Sequence, residues 1–101
     1  MTYTHSITGN HALISLSGEL DSHAAHETIV YISGVIDLFL PQTLSLDLSR
    51  LTFMDSSGLA VVLGAYKRMQ ELDGTLRVLN AGTQPMKVFS AVRLERLIAF
   101  E

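Results

Sequence analysis

The sequence predicts an α/β domain built on a mixed sheet of about five strands covered by helices. Two observations predict it. Runs with a hydrophobic period of two, such as Leu44, Leu46 and Leu48 set against Ser45, Asp47 and Ser49, give way repeatedly to runs at helical spacing. An initial hairpin precedes this alternation of strand and helix, and that order puts helices over a sheet of mixed direction. The chain has 101 residues, room for one compact domain over residues 1–101. A chain of this size buries a core large enough to fold without covalent staples.

Tyr3 to Ile7 and Ala12 to Leu16 alternate on either side of Gly9-Asn10, the hairpin signal. Ala12, Ile14 and Leu16 are expected to face inward, with Leu13 and Ser15 outside. Ser17-Gly18-Glu19-Leu20-Asp21 then turns the chain, and Asp21 or Ser22 caps the first helix. Glu27 lies early enough in that helix to suit its dipole. The helix runs from about His23 to Leu40, because Pro41 forbids continuation. Ala25, Ile29, Ile32, Ile36 and Phe39 recur at steps of four and three and mark its core face. Val30, Tyr31, Val35 and Leu38 leave it apolar well beyond a one-sided stripe. Either neighbours bury the helix deeply, or it carries a second contact surface for a homodimer or another partner.

After the Leu44–Leu48 strand, Leu59, Val62, Leu63, Tyr66 and Met69 recur at helical spacing. They predict a second helix from about Ser57 to Leu72, with Lys67, Arg68, Gln70 and Glu71 on its wet face. The small residues Ala60, Val61, Gly64 and Ala65 fit tight packing on the sheet or the close approach of another chain. Gly74 is placed for a left-handed stop. Thr75 to Leu79 is a strand with Leu76 and Val78 on one side. Thr83 caps a short helix whose first turn holds Pro85; Met86, Phe89 and Val92 or Arg93 continue it. Leu97 to Phe100 forms the last strand.

Composition removes whole classes of function. With no cysteine, disulfides, thiolate metal sites and cysteine nucleophiles are out. A net charge of −3 argues against a surface for nucleic-acid phosphates. Ile29 to Leu40, interrupted by Asp37, is too short to span a bilayer, and Met1-Thr2-Tyr3-Thr4-His5 lacks the regions of a signal peptide. A cytoplasmic protein is expected. Charged residues make up 17%, against roughly 25% in ordinary domains, which favours a protein that works by touching another protein.

Between the Leu44–Leu48 strand and the second helix stands the corner Asp55-Ser56-Ser57-Gly58. Its side-chain oxygens suit the backbone N–H groups that a first helical turn leaves unpaired. The same position carries the positive end of the helix dipole, so a phosphate on a serine there sits in a favourable field. Taken alone, the corner reads first as a plain cap, since such tetrapeptides are common where helices begin.

The wider stretch Thr52-Phe53-Met54-Asp55-Ser56-Ser57-Gly58-Leu59 after a Leu46-Asp47-Leu48 strand resembles the signature of STAS domains, and among them the small anti-sigma factor antagonists of bacterial partner-switching systems. Upstream, Ser17-Gly18-Glu19-Leu20-Asp21 resembles that family's Gly-Glu-Leu/Ile-Asp turn. The resemblance implies the STAS fold, with helices largely on one side of the sheet. It further implies that the unmodified protein binds an anti-sigma factor that is also a serine kinase, that this kinase phosphorylates Ser57, and that a metal-dependent serine phosphatase resets the switch. Asp55, Ser56 and Gly58 match the flanking positions, while Gly18, Glu19 and Asp21 match a second contact region. The family usually carries a further C-terminal helix and more charge on its first helix, and this sequence departs from it in both. A second reading, also implied by the resemblance, is a STAS scaffold or an accessory subunit of a stressosome-like or membrane-associated complex.

Enzymatic chemistry is weakly offered. No Gly-x-Ser-x-Gly elbow is present, and no histidine follows the serine corner, since His5, His11, His23 and His26 all precede it. A serine hydrolase needs a base within reach of its nucleophile. His23 and His26 lie one turn apart beside Asp21 without a convincing further ligand, and no phosphate-cradling glycine loop occurs. The chain is expected to be no enzyme, to need no metal or cofactor, and to accept a phosphoryl group without transferring one.

Overall fold

The computed structural model describes all residues from Met1 to Glu101. The elements are β1 Thr2–Thr8, β2 His11–Leu20, α1 Ser22–Phe39, β3 Thr43–Met54, α2 Ser57–Glu71, β4 Thr75–Leu79, α3 Thr83–Ala91 and β5 Ala99–Phe100, with a short 3-10 turn at Leu94–Arg96 before β5. The sheet order is β1-β2-β3-β4-β5. β1 and β2 form the antiparallel hairpin, turning at Gly9 with φ 59°; the remaining neighbours are parallel. This is the mixed five-stranded α/β sheet that the alternation predicts.

Register explains why one face is dry. Ala12, Leu44 and Leu76 stand in one row, and Ile14, Leu46, Val78 and Phe100 in the next. The first six of these are buried, with Phe100 half-buried against them, and they join Val61, Val62, Ala65 and Met69 of α2, Ile32, Val35 and Ile36 of α1 and Phe89 of α3 in one core. Tyr31 of α1 stacks on Tyr3 of β1 with ring centroids 4.6 Å apart, and Phe89 packs on Phe100 at 5.0 Å. All three helices therefore cover the same face. The other face carries Thr4, Ser6, Ser15, Asp47 and Arg77. Its one fully buried hydroxyl, Ser45, is met by His11 Nε2 at 3.3 Å and an Arg77 guanidinium nitrogen at 3.4 Å.

Several expectations need correction. Ser17 to Leu20 continue β2 instead of turning the chain; the ladder absorbs Gly18, at φ 109°, through a register shift, and the chain turns only at Asp21. β3 likewise runs on to Met54. The buried stripe of α1 is Thr28, Ile32, Val35 and Ile36, while Ala25 and Ile29 are half-buried and Phe39 is exposed. Thr28 joins the core because its hydroxyl donates to Ala24 O at 2.8 Å and meets Tyr3 Oη at 3.0 Å, which removes the cost of burying it. Gly74 is not the left-handed stop. Asp73 takes that conformation, with φ 55°. A Cβ on Gly74 would lie 2.7 Å from Gln42 O and 2.6 Å from Met69 Cε, so close packing excludes a side chain there. Gly82, not Thr83, precedes the first turn of α3, and β5 is two residues instead of four because the 3-10 turn comes first. The small residues Val61, Gly64 and Ala65 of α2 line the groove against Ile29, Ile32 and Ser33 of α1, so they serve helix–helix packing.

Candidate functional site

Two helices begin at the same edge of the sheet, α1 after the carboxyl end of β2 and α2 after that of β3. Because these strands are parallel neighbours, Glu19 stands beside Phe53 and Leu20 beside Met54. Asp55 N–H donates to Leu20 O at 3.3 Å, and Thr52 Oγ1 donates to Gly18 O at 3.1 Å. The Gly18–Asp21 and Asp55–Gly58 stretches, more than thirty residues apart in sequence, therefore share one rim. Rims at the carboxyl ends of parallel strands are where α/β sheets bind.

Asp55 does the capping at this corner. Its Oδ1 accepts from Ser57 N–H at 2.8 Å, while its carbonyl accepts from Gly58 N–H at 3.1 Å. Ser56 occupies the cap position with helical backbone angles and makes no side-chain cap bond. Ser56 is exposed, and Ser57, the first residue of α2, is half-buried. Gly58 is buried and has a steric reason to be glycine: a Cβ would lie 2.4 Å from Met54 Cγ and 2.5 Å from its Sδ. The missing side chain lets the first turn of α2 sit down on Met54 and Leu20, which fixes Ser57 at the rim.

On the other side, Asp21 Oδ1 accepts from His23 and Ala24 N–H, each at 3.0 Å. Asp21 thus caps α1, and Glu19 stands exposed beside it. A shallow concavity of about 410 Å³ is lined by Met1, Glu19, Asp21, His23, Ala24 and Glu27. Three carboxylates on its walls make it suited to a basic partner surface.

Sequence reasoning missed two residues of this rim. Gln84 of α3 accepts from Met54 N–H through Oε1 at 2.8 Å and donates from Nε2 to Met54 O at 2.6 Å, holding the last residue of β3 from both sides. Nothing local to Gln84 signals this, since its partner lies thirty residues earlier. Phe53 leaves 40% of its surface exposed beside Glu19, between the two motifs, an aromatic surface that an exposed position in a strand pattern does not announce. Two of the four histidines are engaged elsewhere: His5 Nδ1 lies 2.6 Å from Tyr31 Oη and His11 bonds Ser45. No three His, Asp or Glu side chains are grouped to hold a metal ion, and no helix is long and apolar enough to cross a membrane.

A family model described as the STAS domain matches residues 4–101. The chain is 36% identical over 83 residues to the anti-sigma F factor antagonist of Lysinibacillus sphaericus, covering 82% of this chain and 71% of that protein. Its fold superimposes on the anti-sigma factor antagonist SpoIIAA in its unphosphorylated form with a TM-score of 0.84, at 30% identity over 99% of this chain and 88% of the other. For the Bacillus cell fate determinant SpoIIAA in its phosphorylated form the TM-score is 0.76, at 31% identity over 99% and 91%.

Proposed function

This chain belongs to the STAS domain family, and we propose that it is an anti-sigma factor antagonist whose affinity for its partner is set by phosphorylation of Ser57. Unmodified, it binds an anti-sigma factor serine kinase in the cytoplasm through the rim of Gly18, Glu19, Asp21, Asp55, Ser56, Ser57 and Gly58. The kinase transfers the γ-phosphoryl group of ATP to Ser57 Oγ with loss of the hydroxyl proton, and ADP leaves. A metal-dependent serine phosphatase returns the hydroxyl by hydrolysis. The observation that carries the reading is the state of the corner: Asp55 caps α2, so Ser57 stands at the helix start without capping duty.

Magnitudes favour an edited surface over an unfolded protein. A phosphoserine brings roughly −1.5 to −2 charges. The start of α2 favours a negative group by roughly 0.3–1 kcal/mol, and the neighbouring Asp55 opposes it. These local effects nearly cancel, so the fold survives. SpoIIAA shares this fold in both its phosphorylated and unphosphorylated forms, which supports the same point. Inside a docked interface a charge stripped of water and left unpaired costs several kcal/mol, and each 1.4 kcal/mol is about tenfold in affinity. Docking is the step that fails.

The test is capture of an anti-sigma factor serine kinase by immobilised chain, before and after incubation with ATP. Binding that disappears with ATP and persists in Ser57→Ala supports the reading; binding indifferent to ATP in the wild type rejects it. Exposed Leu38, Phe39 and Leu40 at the end of α1 favour a second reading, a STAS scaffold or accessory subunit in a stressosome-like or membrane-associated complex. Light scattering separates the two, since a scaffold forms a large assembly and the switch does not.

A further inference from the structure

The sheet has two edges of very different character. β5 closes one with two residues. β1 leaves the other open over seven residues, bonded to β2 on one side only. Its sequence, Thr2-Tyr3-Thr4-His5-Ser6-Ile7-Thr8, contains no Lys, Arg, Asp, Glu or Pro, the residues with which natural edge strands repel a further strand.

Above this edge lies an apolar flank of α1. Asp37 pairs with Arg68 of α2, and Ile29 and Ser33 line the groove between the helices, so the row 29–33–37 faces α2. Tyr31, Gly34 and Leu38, at helical steps of three and four, form the opposing row. Tyr31 stacks on Tyr3 and bonds His5, which places this row over β1. Leu38 is 75% exposed, more than any other large apolar side chain. A Cβ on Gly34 would meet nothing within 4 Å, so the flank is open to close approach.

We infer that a second copy of this chain docks on this edge, with β1 paired antiparallel to β1 across a two-fold axis. Two five-stranded sheets then become one, and the two Tyr31–Gly34–Leu38 rows meet above the junction. A strand edge is complementary to itself when antiparallel, because each copy offers the same row of N–H and C=O groups. The uncharged sequence of β1 sets no like charges against each other. A two-fold axis normal to the sheet also keeps both helix layers on one face, so each apolar flank is covered by its own copy. A foreign strand would satisfy the edge and leave Leu38 wet; a second copy satisfies both. Leu38 lies sixteen residues along α1 from Ser22, about 24 Å at 1.5 Å per residue. The contact at Leu38 therefore stands clear of the Ser57 rim, the start of β1 reaches the concavity beside that rim only through Met1, and the dimer does not rest on the antagonist role.

Sedimentation equilibrium of the full chain tests this. The expected mass is twice the 11.1 kDa of one chain. Thr4→Lys combined with Ser6→Lys, at exposed positions on the uncovered face, and separately Leu38→Glu, should each weaken the dimer by at least about tenfold while the circular-dichroism spectrum stays unchanged. A monomer at concentrations up to about 1 mM, an assembly larger than two, or a dimer that neither variant weakens overturns the proposal.

Discussion

Gln84 holds Met54 through both of its backbone groups, accepting its N–H at 2.8 Å and donating to its carbonyl at 2.6 Å. A side-chain amide thus does for the end of β3 what a sixth strand would do, and it ties α3 to the residue just before the serine corner. Gln84→Ala leaves two backbone groups of a fully buried residue without partners. The expected loss is about 1–3 kcal/mol, read as a lower urea midpoint. Gln84→Glu keeps the acceptor for the N–H but turns an oxygen on the carbonyl, so it should fall between wild type and Gln84→Ala.

Gly58 and Met54 form the second support of the corner. A Cβ at position 58 would lie 2.4 Å and 2.5 Å from Met54 Cγ and Sδ, with Leu20 Cδ2 at 3.2 Å. Gly58→Ala therefore overpacks the base of α2 and should cost about 1–3 kcal/mol in chemical denaturation. The double variant with Met54→Ala should be more stable than the sum of the two single losses allows, because the two sites share one clash.

The parts of this fold that are legible in the sequence are those where local signals agree. Gly9-Asn10 between alternating runs marks the hairpin, Pro41 marks the end of α1, and Leu44, Leu46 and Leu48 mark the middle strand. The pattern fails where the ladder is irregular. Two extra residues of β3, one between Asp47 and Arg50 opposite Ser15 and Ser17 and one between Leu51 and Phe53 opposite Gly18 and Glu19, break the period of two. The buried Leu51 and Met54 then no longer read as a continuation of the strand. Gly18 reads as a turn because a positive φ is usually one, yet here it serves a bulge. Thr28 is polar by type and core by circumstance, its hydroxyl satisfied by Ala24 and Tyr3. Within the candidate site, Asp55-Ser56-Ser57-Gly58 is legible in the sequence, but its union with Gly18–Asp21 depends on parallel register, and the contact of Gln84 with Met54 depends on tertiary structure altogether.

Asp47 offers a pH test on the uncovered face of the sheet. Burial pushes its carboxyl upward, but Ser49 N–H at 3.0 Å, Asn80 Nδ2 at 3.2 Å and the charge of Arg50 together hold it below the usual carboxylate range. A lowered folded-state pKa means stability that is present above the unfolded carboxylate value and lost as pH falls through the lowered one. Asp47→Asn should therefore flatten the acid side of a plot of melting temperature against pH and leave its slope near neutrality unchanged. An acid limb as steep as that of wild type contradicts this assignment.

Substitution at the corner separates folding from docking. Ser57→Asp should retain the circular-dichroism spectrum and the urea midpoint within about 0.5 kcal/mol, yet bind an anti-sigma factor serine kinase at least about tenfold more weakly. Ser57→Ala should bind like wild type and take no phosphate. Stoichiometric phosphate on Ser56 in that variant, located by peptide mass spectrometry, would move the site by one residue.

The most direct measurement is titration calorimetry of an anti-sigma factor serine kinase with two preparations of the same chain, one unmodified and one stoichiometrically phosphorylated at Ser57. The account predicts tight binding for the first and a loss of at least about a hundredfold for the second, equivalent to about 2.8 kcal/mol, with both preparations equally folded. Equal affinity of the two forms would contradict it.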